Sequence, residues 1–340
     1  MKTKILIVFL FINCFLFSEQ QKDEPSWVYL KKAENLKEQG EYALAVIEAR
    51  KAKQIFVMEK IENLYEKLRE EEKDKTNYEL KKIIEEKRLE LMQNDNYPQY
   101  HEIMADLYVL TNFLSEAERE YKIAIDQKKY FDYPQKLLEI KYKLASVYEQ
   151  QLNYDLADIT YREIVIDYFK KKKNDFWDRI RFNIKQDISL VHTFRIYRVD
   201  GIEYLKALYK IGKRASLIQK KEEALFFIAN AGIVWMTYYS NLIKKEKYDF
   251  QYASPVDFIN YVTKKNIGEY ISEKDYLIDE IMFFIGYLEL LYNEDDIAKH
   301  YFDLAIMFSK GTKRENEIKS RIDYFKRDRN HILSYEELID

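Results

Sequence analysis

The chain has 340 residues, and its 56 Lys and Arg against 59 Asp and Glu leave a formal net charge of −3, which excludes a general electrostatic pull toward nucleic acid or anionic lipid. The length exceeds what one hydrophobic core usually serves, so it implies either two domains or a repeat array in which each unit packs on its neighbours. Seven Gly and four Pro are few, and because those residues are the chief interrupters of secondary structure, continuous helices and an all-α fold are expected.

Residues 1–18 open with Lys2 and Lys4, followed by the apolar run Ile5 to Phe17. This is the layout of a bacterial secretory signal, and the run is shorter than the ~20 residues of a spanning helix, so membrane attachment is expected only through a lipid anchor or an uncleaved signal. Cutting after Ser18 gives one mature start. The alternative ends the signal at residue 13, with Phe11-Ile12-Asn13-Cys14 as a loose lipobox and Cys14 as the lipidated first residue. Either route suits an oxidising compartment without structural disulfides. Residues 19–25 then read as a polar tether.

From residue 26 to 312 small residues recur at one spacing, small-x11-small-x6-small. The first set is Ala33, Ala45 and Ala52; the second is Ala105, Ala117 and Ala124; the third is Ala145, Ala157 and Ile164. The fourth is Gly212, Ala224 and Ala231, and the fifth is Gly286, Ala298 and Ala305. The first residue sits on helix A of a hairpin, the second twelve positions later on helix B, and the third two turns further along B. Small side chains there let the two helices approach closely. The clearest units span 26–59, 98–131, 138–171, 205–238 and 279–312. Pro25, Pro98, Pro134 and Pro255 each stand where a helix should open.

The middle alanines are 72, 40, 67 and 74 residues apart. Three of those gaps leave room for a degenerate hairpin, at 60–95, 174–200 and 250–275, or for spacer helices without repeat packing. The first is highly charged and suits long protruding helices equally well. Lys170–Lys173 reads as a solvated helix end. Residues 313–340 form a charged C-terminal helix or tail.

Three of the units carry further matching residues. Unit one has Tyr29, Ala33, Leu36, Gly40, Tyr42, Ala45 and Ala52; unit two has Met104, Ala105, Tyr108, Leu114, Ala117, Tyr121 and Ala124; unit three has Leu144, Ala145, Tyr148, Tyr154, Ala157 and Tyr161. These resemble the tetratricopeptide repeat, a helix-turn-helix of about 34 residues. Units four and five resemble it less, since Lys221 replaces an aromatic and Glu289 and Asp295 occupy positions normally apolar. A loosely packed or exposed final unit is therefore expected. The resemblance implies an α-solenoid of stacked antiparallel helix pairs whose helices A line a concave binding face. Carried over to this sequence, its exposed contact positions include Glu102, Asp106, Tyr142, Glu149, Tyr209, Lys213, Phe283 and Tyr287. The Lys and Asn carboxylate clamp of the family's chaperone-binding members is missing, and an acidic, aromatic-bearing groove favours a basic or mixed peptide or a helix as ligand; the alternative is an ordinary solvated face.

No phosphate-cradling glycine loop, paired HExxH histidines or Gly-flanked serine is present in the sequence. His101, His192, His300 and His331 are scattered, and the pair Asp296 and His300 has a helical spacing that arises by chance. No catalytic residue, cofactor or metal site is expected. The expected function is a non-enzymatic scaffold or adaptor of the periplasm, bound to envelope proteins or peptides, with outer-membrane assembly as one setting. The alternative is a cell-wall-active enzyme or its accessory subunit carried on a helical solenoid.

Overall fold

The computed structural model describes residues 24–71, 75–93, 95–170, 201–246 and 277–328. Among them lie twelve α-helices, one short 3-10 turn and no strand. The helices are α1 (Ser26–Glu38), α2 (Tyr42–Glu71), α3 (Asn77–Gln93), α4 (Pro98–Leu110), α5 (Leu114–Asp126), α6 (Lys136–Gln150), α7 (Tyr154–Lys170), α8 (Ile202–Leu217), α9 (Lys221–Glu246), α10 (Ile278–Leu291), α11 (Asp295–Ser309) and α12 (Glu315–Arg327). The chain forms two compact units, the first ending at Ile140 and the second beginning at Lys141. The segment expected to be a signal, Cys14, His192, His331, Lys171–Lys173 and the intervals 174–200 and 250–275 lie outside the described residues.

Every position of the five small-residue sets is buried. In the first unit Ala33 and Ala45 meet across the α1–α2 contact. Ala49, Ile103, Met104 and Leu107 extend this cluster to α4. Tyr29, Ala52 and Ile55 form a second cluster, and Phe56 stacks on Tyr97 with ring centroids 4.0 Å apart. Ser26 fixes the start of α1 by donating from its backbone N–H and hydroxyl to Glu59 on α2, at 3.1 and 2.9 Å. Ala105 on α4 and Ala117 and Ala124 on α5 are likewise closed off from solvent.

One turn geometry closes all five hairpins. Gly40, Asn112, Leu152, Gln219 and Asn293 each stand seven residues after the first small residue, and each has φ between 59° and 81°. The next residue's N–H reaches back five residues: Glu41 to the Leu36 carbonyl, Phe113 to Tyr108, Asn153 to Tyr148, Lys220 to Ala215 and Glu294 to Glu289, at 2.8–3.1 Å. This is the Schellman closure, which satisfies carbonyls left open at a helix end. Glycine adopts its left-handed residue without strain; here four other side chains do so.

The interval 60–95 holds the end of α2 and all of α3. Helix α2 continues without a break to Glu71, and its buried residues (Ala45, Ala49, Ala52, Ile55, Val57) all lie at or before Val57. Beyond Val57 an apolar stripe continues at Ile61, Leu64, Tyr65 and Leu68, but these side chains are only half-buried and charged residues fill the exposed positions between them. Helix α3 packs on α2 through buried Leu80.

In the second unit α8 packs on α9 and on α7, α9 on α10, α10 on α11, and α12 on both α10 and α11. Ala224 and Ala231 on α9 and Ala298 and Ala305 on α11 are all buried. The Ala298 carbonyl stands 3.1 Å from where a Cβ on Gly286 would lie, so α10 and α11 nearly touch backbone to backbone at that point. Ile278 to Leu290 are all buried. The final hairpin is thus tightly packed, against the sequence expectation of a loose or exposed end, because Ile318, Ile322 and Phe325 of α12 add an apolar face to it. Trp235 stacks on Tyr239 at 5.2 Å and meets Phe308 edge-on at 5.9 Å. Burial of such aromatic side chains dominates core energetics.

Candidate functional site

The small positions carry the scaffold and present nothing to a ligand. Ala145 and Ala157 in the third hairpin, Ala224 and Ala231 in the fourth, and Ala298 and Ala305 in the fifth are at most 3% exposed. A binding surface therefore has to come from other residues of the same helices.

The contact positions that the repeat resemblance puts on an exposed face are largely taken up by the chain itself. In the first unit Asp106 accepts from Lys37 Nζ at 2.7 Å and from the Tyr121 hydroxyl at 2.6 Å. Glu102 is buried and pairs with Lys136 at 2.8 Å. Burial disfavours the Lys136 charge, but its bonds to Glu102 and Glu139 outweigh that and hold its pKa above the ordinary lysine value. A buried carboxylate needs such a partner, since desolvation otherwise costs several kcal/mol.

The second unit shows the same pattern. Glu149 accepts from Lys210 at 2.8 Å, and half-buried Tyr142 lies 5.4 Å from Tyr161. The Tyr209 hydroxyl donates to Glu280 at 2.7 Å, and Lys213 stands 5.3 Å from the Tyr209 ring. Phe283 and Tyr287 meet Phe325 of α12 at 5.9 and 4.9 Å. Glu102, Tyr209, Phe283 and Tyr287, expected on an exposed face, are therefore buried. Neighbouring helices cover them, through an ion pair for Glu102 and aromatic packing for the others.

Two arrangements are not legible as sites in the sequence. The first gathers His101, which the sequence leaves among scattered histidines, between two carboxylates. Its Nδ1 lies 2.7 Å from Glu120 and its Nε2 3.1 Å from Asp95. Asp95 also receives Lys53 at 2.6 Å, Gln127 at 3.1 Å and the Tyr97 backbone N–H at 3.1 Å. Burial opposes charge on His101, yet the bonds to Asp95 and Glu120 raise its pKa above 6.5. With both ring nitrogens facing carboxylates, the imidazolium form donates twice. The site braces the approach to α4 against α2 and α5.

The second arrangement is a cleft of about 830 Å³ between α7, α9 and the α10–α11 turn. Leu225, Phe226, Phe227 and Ile297 supply its apolar lining, with Tyr292 beside them. Its charged lining is Glu222, Glu223, Glu289 and Glu294 against Arg162. The Arg162 guanidinium bonds Asp158 and Glu223, both at 2.7 Å, and lies 5.3 Å from the Phe227 ring. One sequence signal points here, namely Glu289 at a position the repeat pattern keeps apolar.

No family model matches the chain, and no curated protein matches it. Among the described residues no helix is long and apolar enough to cross a membrane, and no group of three or more His, Cys, Asp or Glu is arranged to hold a metal ion. Asp296 and His300 are both exposed.

Proposed function

We propose that this chain is a non-enzymatic scaffold of the bacterial cell envelope, a tetratricopeptide-like α-solenoid that binds partner proteins or peptides. The observation that carries the reading is the recurrence of one hairpin. Five times the same small positions are buried, and five times the same left-handed turn follows. Such repetition builds surface rather than a single enclosed active site. The secretory layout of residues 1–18 supports export, with Cys14 as the anchor if the lipobox is used. Of the contact positions that the repeat resemblance implies, Asp106, Tyr142, Glu149 and Lys213 are half-buried rather than buried, and the cleft offers a second recognition surface.

A reporter enzyme active only outside the inner membrane, fused after Asp328, tests export: activity is expected, and an inactive reporter in intact cells removes the envelope assignment. Binding is tested with photo-crosslinkers at exposed Tyr78 and Glu222 in living cells. Capture of specific envelope proteins is expected, and no protein adduct at either position overturns the scaffold reading.

A further inference from the structure

The cleft contains a carboxylate in an unusual place. Glu289 follows Gly286 by three residues, and the corresponding residues of the other hairpins are Leu36, Tyr108, Tyr148 and Ala215. Its side chain is nevertheless buried, at 7% exposure, where the other hairpins place no charge. Burial raises the Tyr292 phenol above its ordinary value, and the charges of Glu222 and Glu289 raise it further. The fields of those two carboxylates thus converge beside an aromatic ring at the cleft mouth.

Arg162 shows within the same cleft how a cation is received, with a carboxylate at hydrogen-bond distance and an aromatic ring near its guanidinium. Lys220 and Lys221 line the adjoining shallow part. Lys221 donates to the Leu291 carbonyl at 3.3 Å, and Lys220 lies 3.7 Å from Glu223, which Arg162 already engages. Among the described residues Glu222 and Glu294 have no ion-pair partner. Carboxylates beside apolar and aromatic surface complement a cation carried on an apolar segment, whereas an acidic segment would be repelled.

We propose that this cleft binds a basic peptide segment of a partner protein, with an Arg or Lys side chain seated against Phe226 and Tyr292 and paired with Glu222 and Glu294. Apolar residues flanking that cation pack on Leu225 and Ile297. The assignment rests on the scaffold reading and names the chemistry of its partner.

The test uses the full chain and a fluorescein-labelled decapeptide with a central Leu-Arg-Leu in a Gly/Ser/Ala background. Versions with Lys, norleucine or Glu at the central position accompany it, and anisotropy is read at low and high salt. The Arg and Lys peptides are expected to bind at least about tenfold tighter than the norleucine peptide, and the Glu peptide to be the weakest, with the preference shrinking in high salt. Glu222→Gln combined with Glu294→Gln removes most of the preference without moving the thermal melt, since both side chains are exposed. Equal binding of the Arg and norleucine peptides, no binding of the Arg peptide, or an unchanged preference in the double variant overturns the proposal. So does displacement by spermidine at concentrations matching the peptide's own affinity, which reassigns the cleft to small organic cations. Crosslinkers in cells separate this from the wider reading. Partners captured at Tyr78 but not at Glu222 leave the scaffold standing and remove the cleft, whereas capture at neither removes both.

Discussion

Gly212 and Ile228 meet so closely across the α8–α9 contact that a Cβ on the glycine would stand 2.6 Å from both Ile228 Cδ1 and Cγ1. Ile228 is fully buried, and its backbone nitrogen lies 3.1 Å from the same point, so it has little room to yield. Replacing a mid-helix glycine with alanine ordinarily stabilises by about 1 kcal/mol. Overpacking a closed contact costs about 1–3 kcal/mol. The second effect wins here: Gly212→Ala should lose roughly 1 kcal/mol, read as a lower urea midpoint. Gly286→Ala should behave alike, because its Cβ would meet the Phe302 ring at 2.8 Å. A higher midpoint in either variant would contradict the close approach.

The turn residues make the opposite prediction. Leu152 has φ 60° and is 70% exposed, so it bears left-handed strain without packing in return. That conformation costs a non-glycine residue about 1–2 kcal/mol, while glycine adds about 0.5–1 kcal/mol of unfolded-state entropy to overcome. Leu152→Gly should therefore stabilise by about 0.5 kcal/mol. Gly40→Leu should destabilise by about 1 kcal/mol, although a Cβ there meets nothing within 4 Å, which isolates the backbone term. Paired thermal melts of the two variants, moving in opposite directions, check the assignment.

The histidine brace predicts a pH profile for the first unit. Burial lowers the pKa of His101, but Asp95 and Glu120 raise it further, to a net value above 6.5. A group raised on folding contributes stability fully below its unfolded pKa and loses it as pH climbs through the folded value. The same bonds hold Asp95 and Glu120 below their ordinary values against the opposing effect of burial, so their contribution fades as pH falls through the depressed pKa values. Lys53, Arg119 and Gln127 also face these carboxylates, and Tyr100, pushed up to about 12 mainly by its burial, meets the His101 ring edge-on. The stability from this brace should be greatest on the acid side of 6.5, decline as pH climbs from there through the raised histidine value, and decline again below about 4. His101→Gln should remove the alkaline limb, and Asp95→Ala should cost about 3 kcal/mol by stranding its cations. NMR titration of the His101 ring against urea midpoints measures both; a ring pKa below 6.5 would refute the account.

The packing of this molecule was more legible in its sequence than its surface was. Small-residue spacing is a one-dimensional record of where two helices touch, so Ala33, Ala45, Gly212 with Ala224, and Gly286 with Ala298 announce buried contacts without knowledge of anything else. Exposure has no such record. Glu102 reads as a solvated glutamate until Lys136, thirty-four positions later, comes within 2.8 Å, and Phe283 reads as a contact residue until α12 covers it. His101 is one of four scattered histidines until the fold brings Asp95 and Glu120 to its two nitrogens. Glu289 is the instructive exception, because a departure from the chain's own repeat pattern marks the cleft.

Consecutive acids at the start of α10 supply the last prediction. Asp279 and Glu280 are both buried, yet their pKa values move in opposite directions. Burial raises both, but Glu280 is drawn below its ordinary value by Arg321 and Lys213 and by the Tyr209 hydroxyl. Asp279 has Arg314 at 2.8 Å on Oδ1, while its Oδ2 is buried without a hydrogen-bond partner among the described residues. Burial therefore prevails and pushes Asp279 to about 7. An acid raised on folding supports the fold while protonated, so its contribution is complete below 3.8 and is lost as pH rises toward about 7. Asp279→Asn keeps an acceptor for Arg314 and removes the need to ionise in the core. It should raise the stability of the second unit at about pH 8 by about 1–2 kcal/mol and flatten the slope between about pH 4 and 7, which urea titrations across that range would show. Glu280→Gln should instead destabilise in the same alkaline buffer, since it takes a carboxylate away from Arg321 and Tyr209. Equal responses from the two substitutions would mean that the neighbouring acids share one environment, contrary to the contacts that separate them.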